Sequence, residues 1–282
     1  MSEHSKGVWM TVAAALVWST GGLLIKWIEQ DAFTILFYRS FYAGILFLFV
    51  FRREALRLDK KTILISLCYA PLLICFVSAT KMTTAANAIF LQYIAPAIVL
   101  IAEPRIFKIP LKRYNVITVV VCTLGMSLFL FEQKEGSHWI GDGIALLSGM
   151  FAAALFLTLK MSNRTQQMSG ITLGNMWIVL ITLPWFLKSP PASLDEHGML
   201  AFLGFVQIGL GYLLFTYGQR RIPATESALI AMLEPILNPL WVMIGYQEIP
   251  SSWSLAGGFI ILTALAARMI YVARYDKKPL IT

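Results

Sequence analysis

The chain has 282 residues, of which 58% are hydrophobic and only 13% are charged. Because roughly a quarter of the residues in a soluble domain are charged, this composition excludes a water-facing surface over most of the protein. The formal net charge of +8 could suit nucleic acid, but the basic residues form short clusters between apolar segments, which indicates membrane orientation. We therefore expect an integral membrane protein that lies in a lipid bilayer and binds no nucleic acid.

Ten apolar segments follow one another along the chain, each close to the roughly 20 residues that a helix needs to cross the hydrocarbon core. Lipid offers no partners to backbone N–H and C=O groups, so continuous apolar segments of this length predict helices and not barrel strands. The segments are Gly7–Trp27, Phe33–Phe51, Thr62–Thr80, Thr84–Ala102, Tyr114–Phe131, Trp139–Lys160, Ile171–Leu187, Gly198–Gly218, Ala224–Gly245 and Trp253–Ala273.

The second half of the chain resembles the first. Residues 76–88 (FVSATKMTTAANA) reappear in altered form as residues 215–227 (FTYGQRRIPATES), and Pro96 corresponds to Pro235. Each half holds five segments, and an odd number of crossings makes the second half enter the membrane from the opposite side. Inverted repeats of this kind are typical of secondary transporters.

The predicted fold is an all-α integral membrane protein with ten transmembrane helices arranged as two inverted five-helix repeats. Residues 1–134 form the first repeat and residues 135–282 the second, with a polar stretch at 132–138 between them. Basic clusters such as Arg52–Lys61 and Arg268–Lys278 fall on one side of the membrane if the N-terminus is cytoplasmic. This pattern predicts that both termini lie in the cytoplasm, in the inner membrane of a bacterial cell.

Arg39 is the first candidate functional residue, because polar groups inside a membrane are costly. It lies in the second segment, about six residues or roughly 9 Å below the outer surface at the rise of a helix. There it could hold a substrate carboxylate or pair with a gate acid. The alternative is that its long side chain reaches the outer headgroups.

Glu234 is the second candidate and lies near the middle of the ninth segment. Pro235 and Pro239 follow it, and the backbone hydrogen bonds that they remove favour a discontinuous helix lining a cavity. A carboxyl group at this depth is also a candidate carrier of a coupling proton. The alternative is that Glu234 only caps backbone amides at the kink.

The fourth segment repeats this arrangement, with Pro96 placed after Asn87, Gln92 and Tyr93. Proline-interrupted helices at equivalent places in two halves point to a substrate site. Trp18, in the first segment, is predicted to stack on a flat substrate, and helix packing is the alternative. Further intramembrane amides, some of them expected to bond helices together, are Asn175, Gln207 and Asn238.

The chain carries none of the enzyme motifs H-E-x-x-H, P-loop or G-x-S-x-G. His4, His138 and His197 do not have metal-ligand spacing. We therefore expect no catalytic residues, no metal and no cofactor.

Four stretches carry a family resemblance: LVWSTGGLLIK in the first segment, FYRS in the second, AANAIFLQYIAP in the fourth and ATESALIAMLEPILNPLW in the ninth. In their order and spacing they resemble the EamA-type branch of the drug/metabolite transporter (DMT) superfamily. The resemblance implies export or exchange of small metabolites, often amino acids, by alternating access around a central cavity. One departure is that Glu248, which closes the ninth segment, has Ile109 at the matching end of the fourth.

We predict a secondary active transporter, an exporter or exchanger, for a small polar metabolite such as an amino acid or related compound. The predicted unit is a monomer or weak homodimer, and the candidate coupling ion is a proton. A passive channel or uniporter is the first alternative, and a membrane-embedded transferase with catalytic groups at one interface is the second. The predicted substrate-binding residues are Arg39, Trp18, Asn87, Gln92, Tyr93, Glu234 and Asn238.

Overall fold

The computed structural model describes residues 2–108, 111–128, 138–219, 221–222, 230–231 and 233–275. Over these residues it consists of helices joined by turns, with no β-strand. The helices are α1 (Glu3–Ser19), α2 (Gly21–Trp27), α3 (Ala32–Phe51), α4 (Lys60–Met82), α5 (Ala85–Gln92), α6 (Ile94–Phe107), α7 (Arg113–Ser127), α8 (Trp139–Lys160), α9 (Arg164–Phe186), α10 (Leu194–Ala201), a π-helix (Phe202–Leu210), α11 (Gly211–Gln219), α12 (Leu233–Tyr246) and α13 (Ser252–Tyr275), with a short 3-10 helix at Arg52–Leu56.

Seven helical runs are long and apolar enough to cross a membrane, and they match the first to fourth and sixth to eighth predicted segments. They are Glu3–Trp27, Ala32–Phe51, Lys60–Met82, Ala85–Phe107, Trp139–Lys160, Arg164–Phe186 and Leu194–Gly218. The other three predicted segments coincide with α7, α12 and α13, which do not meet that standard over the described residues. The protein is an all-helical, multi-pass membrane protein, and the count of ten crossings stays a prediction.

Polar side chains fix where several of the long helices begin. Asp59 accepts the N–H of Thr62 at 2.9 Å at the start of α4, and Asn163 and Gln166 form a capping box at the start of α9. Such caps satisfy N–H groups that have no partner in the first turn of a helix. The hydrogen bonds from the Thr62 N–H and the Gln166 amide hold the pKa of Asp59 below its usual value.

Three of the long helical runs are interrupted near their middles. α1 ends at Ser19, whose hydroxyl donates to the carbonyl of Leu16 at 2.8 Å. α5 ends at Gln92, because Pro96 has no N–H for the Gln92 carbonyl and its ring crowds that group. The third interruption is the π-helix Phe202–Leu210, a widened form that occurs frequently at functional sites.

The expected break at Pro239 is absent, because α12 continues through this residue. Pro235 also lies in α12, and residues 230–231 before it are helical as well. The residues at 223–229, which form the first part of the ninth predicted segment, lie outside the described residues.

Helices from the first half of the chain pack mainly against helices from the second half. α1 packs against α11 and α12, α4 against α8 and α9, α3 against α9 and the π-helix, and α7 against α13. Gly7 shows how close these contacts are, because a Cβ added there would lie 2.7 Å from side-chain atoms of Arg221 and Ile222. Small residues allow this approach between membrane helices. The packing brings polar residues of the first three helices against those of the π-helix and α12.

Candidate substrate site

Arg39 lies in α3 and is only 2% exposed. Its Nη2 group donates to Oε1 of Gln207, in the π-helix, at 2.7 Å. Its Nε and Nη1 groups are buried and have no hydrogen-bond partner. The side chain is therefore turned into the protein and not toward its lipid-facing surface, and two of its donor groups stay unpaired.

The charge of Arg39 is not neutralised by an ion pair with any of the described residues. Glu234, at the start of α12, interacts with Arg39 electrostatically without an ion-pair contact. Tyr69 and Tyr212 also interact electrostatically with the guanidinium. A buried guanidinium without a paired anion is costly, so this arrangement favours a role in binding over a purely structural one.

Trp18 joins the same cluster at the break between α1 and α2. Its carbonyl accepts a hydrogen bond from Nε2 of Gln207 at 3.2 Å. Its ring packs against Tyr212 and Phe215, with ring centroids 5.3 and 5.0 Å apart. The buried indole Nε1 has no partner. Packing accounts for the position of the ring, while the N–H group is a further unpaired donor in this cluster.

Tyr93 and Asn238 bring polar groups to the interior from the α5–α6 break and from α12. The Tyr93 hydroxyl donates to the carbonyl of Ala231 at 3.4 Å and interacts electrostatically with Glu234. Asn238 is buried against Gly22 of α2, and its Oδ1 has no partner. Tyr93 is thus linked to the Arg39 cluster through Glu234, and Asn238 presents an unpaired acceptor.

Of the two remaining predicted site residues, Asn87 lies apart from this cluster and Gln92 lies beside Tyr93 in the chain. Asn87 donates to Asp142 at 3.3 Å and accepts a hydrogen bond from the Ser254 hydroxyl at 2.7 Å. Gln92 is half-buried at the end of α5, and its backbone carbonyl packs against Gly149. The contacts of Asn87 place it at the end of the molecule where α4 meets α5, and not with Arg39.

An ion pair lies at this same end. Lys26 Nζ is 2.8 Å from Glu248 Oε2 and also donates to the Thr83 carbonyl at 2.8 Å. Glu248 Oε1 accepts the N–H of Ala85 at 2.7 Å, and the Thr83 hydroxyl donates to Asp142 at 2.6 Å. The two charged side chains are only 12% and 19% exposed. We call the residues Lys26, Thr83, Asn87, Asp142 and Glu248 the end network; it ties α2 and the α4–α5 turn to α8 and to the segment after α12.

Gln207 is a central residue of the cluster that sequence reasoning did not select for binding. Its position between Gly204 and Gly209 was the available signal, because these glycines let α3 approach closely. The partners of Asp142 could not be read from the sequence either, because Thr83 and Asn87 lie in another half of the chain. Over the described residues, no three His, Cys, Asp or Glu side chains come together as a metal site.

A multi-pass helical fold with a buried, unpaired charge between its helices is typical of a membrane transporter. The chain belongs to the EamA-like transporter family, whose model matches residues 5–131 and again residues 139–269. This result agrees with the predicted membership of the DMT superfamily.

Individual relatives match between about half and nearly all of the chain. The chain is 25% identical over 272 residues to the pseudopaline exporter CntI of Pseudomonas aeruginosa, covering 93% of this chain and 95% of the exporter. It is 25% identical over 168 residues to a biotin transporter of Escherichia coli, covering 55% of each protein. A solved crystal structure superposes with a TM-score of 0.67 at 16% identity, covering 97% of this chain and 99% of that one. At this identity, the structural match establishes the fold alone.

Proposed function

We propose that the protein is a secondary active transporter that exports or exchanges a small polar metabolite with a carboxylate group, such as an amino acid or related compound. The observation that carries this proposal is the buried guanidinium of Arg39, whose Nε and Nη1 have no partner. The names of the relatives, an exporter of pseudopaline and a transporter of biotin, support transport of small metabolites. The substrate class itself rests on Arg39.

A carboxylate is the substrate group that best satisfies this cluster. The guanidinium has free donors in Nε and Nη1, and charge-assisted N–H bonds from such donors to carboxylate oxygens are stronger than neutral ones. The indole N–H of Trp18 adds a third donor, and its ring offers an apolar face. A bound carboxylate would thus supply partners for donors that otherwise stay unpaired inside the protein.

The other end of the substrate meets acceptors in this proposal. Glu234, Asn238 and Tyr93 offer carboxylate, amide and hydroxyl oxygens from α12 and the α5–α6 break, and Gln92 lies one residue before Tyr93. Such groups suit an amine or hydroxyl on the substrate. Glu234 is also the proposed carrier of a coupling proton, because it is the acidic group that interacts with Arg39 and would respond to a change in charge there.

We propose that alternating access occurs when one inverted repeat, residues 1–134, rocks against the other, residues 135–282. The packing supports this division, because α1 meets α11 much as α8 meets α4, and α3 meets α9 while α7 meets α13. Each of these contacts joins one half of the chain to the other. If the two halves exchange places, the α1–α11 contact becomes the α8–α4 contact, while the α3–α9 and α7–α13 contacts each remain the same contact. We further propose that both termini face the cytoplasm at the bacterial inner membrane, and that a monomer or weak homodimer is sufficient.

The test is metabolite profiling of cells that express the protein, an Arg39→Gln variant or an Arg105→Gln variant. Arg105 is exposed at the end of α6 and serves as a matched control for charge. We expect wild type and Arg105→Gln to deplete the same intracellular carboxylates, and Arg39→Gln to behave like cells without the protein. Equal depletion by the Arg39 variant, at equal amounts in the membrane, would reject the proposal.

A second measurement separates active transport from the passive alternative. The depleted compound is offered to proteoliposomes with and without an imposed proton gradient. Accumulation above the external concentration that a protonophore abolishes is expected of a secondary transporter. Equilibration without accumulation would identify a uniporter.

A further inference from the structure

We propose that Gln207 determines the charge preference of the site, because it holds Arg39 through a neutral amide and so leaves the positive charge available to an anionic substrate. The inference rests on the proposed function, in which Arg39 receives the substrate carboxylate. It concerns a neutral residue that the sequence analysis noted as an intramembrane amide but did not include among the substrate-binding residues.

Two hydrogen bonds fix the orientation of the Gln207 amide. Oε1 accepts from Arg39 Nη2 at 2.7 Å, and Nε2 donates to the Trp18 carbonyl at 3.2 Å. The guanidinium has only donors and the carbonyl is only an acceptor, so a reversed amide would lose both bonds. Gln207 is therefore a positioning residue that orients Arg39 and ties it to the break between α1 and α2.

The surrounding backbone leaves the side chain of Gln207 little freedom to move. It is 4% exposed, and a Cβ added at Gly21 would lie 2.6 Å from its Nε2. At Gly204, one turn earlier in the π-helix, an added Cβ would lie 2.7 Å from the Arg39 carbonyl. The π-helix is thus held against α2 on one side and α3 on the other, and the amide is set at a fixed distance from the guanidinium.

The consequence follows from the chemistry of the partner. A carboxylate at the position of Oε1 would form a buried ion pair with Arg39 and neutralise it, whereas an amide oxygen holds the same geometry and leaves the charge. With one Nη2 bond formed to Gln207, Nε and Nη1 stay unpaired. The site therefore favours an anion over a neutral analogue of the same shape.

The experiment compares Gln207→Glu with Gln207→Met, since both side chains approximate the shape of glutamine but only the first adds a negative charge. Purified protein in detergent is titrated with matched probes, each a carboxylate and its amide: L-leucine and L-leucinamide, benzoate and benzamide, succinate and succinamide. A ligand that binds only the folded state raises the unfolding temperature of the protein. The dependence of this rise on the probe concentration gives the affinity of each probe. The measured quantity is the ratio of carboxylate to amide affinity.

We expect wild type to prefer at least one carboxylate by about tenfold or more, as for a charge-assisted bond over a neutral one. Gln207→Glu should bring the ratio to about one, because the added acid competes for the guanidinium. Gln207→Met should weaken binding of both probes but keep the preference. If Gln207 had only a structural role, Gln207→Glu would not change the ratio of carboxylate to amide affinity in a protein that still folds.

The outcomes separate this inference from the proposed function. If wild type prefers no carboxylate, or if Arg39→Gln keeps the preference, the proposed function fails. If Arg39→Gln loses the preference while Gln207→Glu keeps it, the role of Gln207 is overturned and the function stands. If Gln207→Glu does not fold, Gln207→Asp takes its place as the acidic variant: a ratio near one supports the inference, and a kept preference overturns it.

Discussion

In the proposed alternating-access mechanism the end network closes one end of the protein, and replacing Glu248 by glutamine should open that end. Glu248 pairs with Lys26 at 2.8 Å and also accepts the N–H of Ala85 at 2.7 Å. A glutamine keeps the acceptor for Ala85 but removes the charge opposite Lys26. The variant therefore weakens the link between α2 and the segment after α12, while the side chain at position 248 keeps nearly the same size.

The magnitude follows from the burial of the pair. Exposed ion pairs contribute about 0–1 kcal/mol, and removing one partner of a fully buried pair costs about 3–5 kcal/mol. At 12% and 19% exposure, the Lys26–Glu248 pair lies between these limits, and we expect a loss of about 2 kcal/mol from the closed state. A change of this size shifts the equilibrium between closed and open forms by roughly 30-fold.

The assay measures access to the candidate site from this end. A cysteine at Asn238, which is 1% exposed, reports on access after Cys68, Cys75 and Cys122 have been replaced by alanine. Membrane-impermeant maleimide is applied to vesicles of either orientation. If opening is rare and fast, Glu248→Gln should raise the rate of labelling from the Glu248 side by up to about 30-fold, in proportion to the open population.

The control is Glu103→Gln, which removes a different ion pair, between Glu103 and Lys160, at the other end of α8. This variant should leave the labelling rate from the Glu248 side unchanged. The reasoning is refuted if Glu248→Gln labels at the parent rate, or if Glu103→Gln raises the rate from that side equally.

Further predictions concern coupling, pH and packing. Glu234→Gln should still transport substrate in proteoliposomes but lose its response to an imposed pH gradient, and a retained response would exclude Glu234 as the proton carrier. The pKa of Asp59 is lower in the folded protein than its usual value, so its contribution to stability is present at neutral pH and is lost as the pH falls below about 4. The unfolding temperature of wild type should therefore fall more steeply with acid than that of Asp59→Asn, and parallel curves would contradict this. Gly7→Val should destabilise the protein by about 1–3 kcal/mol, since it forces α1 from α11, whereas Gly44→Val, where an added Cβ meets nothing within 4 Å, should unfold near the wild-type temperature.

Much of the fold could be predicted because the bilayer imposes one dominant rule. Backbone groups in lipid must bond within their own helix, so continuous apolar length alone located seven of the runs that the structure contains. The break after Gln92 was also predictable, since Pro96 has a fixed local effect. Pro239 was misleading because α12 continues through it while packing against α1, α2 and α5, and such tertiary contacts cannot be predicted from the local sequence.

The site was less predictable because its contacts join distant residues. The sequence left two positions for the Arg39 side chain, toward the headgroups or toward the interior, and both suit its length. The structure places it against Gln207, a residue of the other half. The ion pair between Lys26 and Glu248 could not be predicted for the same reason, since Glu248 lies far along the chain from Lys26.

The three helix interruptions coincide with the residues of the candidate site, and this agreement has a physical cause. In a continuous helix, the backbone carbonyls accept hydrogen bonds from N–H groups of the same helix. At the break after α1, the Trp18 carbonyl instead accepts a hydrogen bond from Nε2 of Gln207. Tyr93 stands at the break between α5 and α6, and Gln207 itself lies in the π-helix. At these three points the helices can change their local geometry without losing the hydrogen bonds of the long segments on either side. The proposed alternating-access mechanism requires such freedom beside the ligand and contacts that can form and break at the ends of the protein. The helix breaks lie around Arg39, and the Lys26–Glu248 ion pair lies at one end of the protein, so both features fit that requirement.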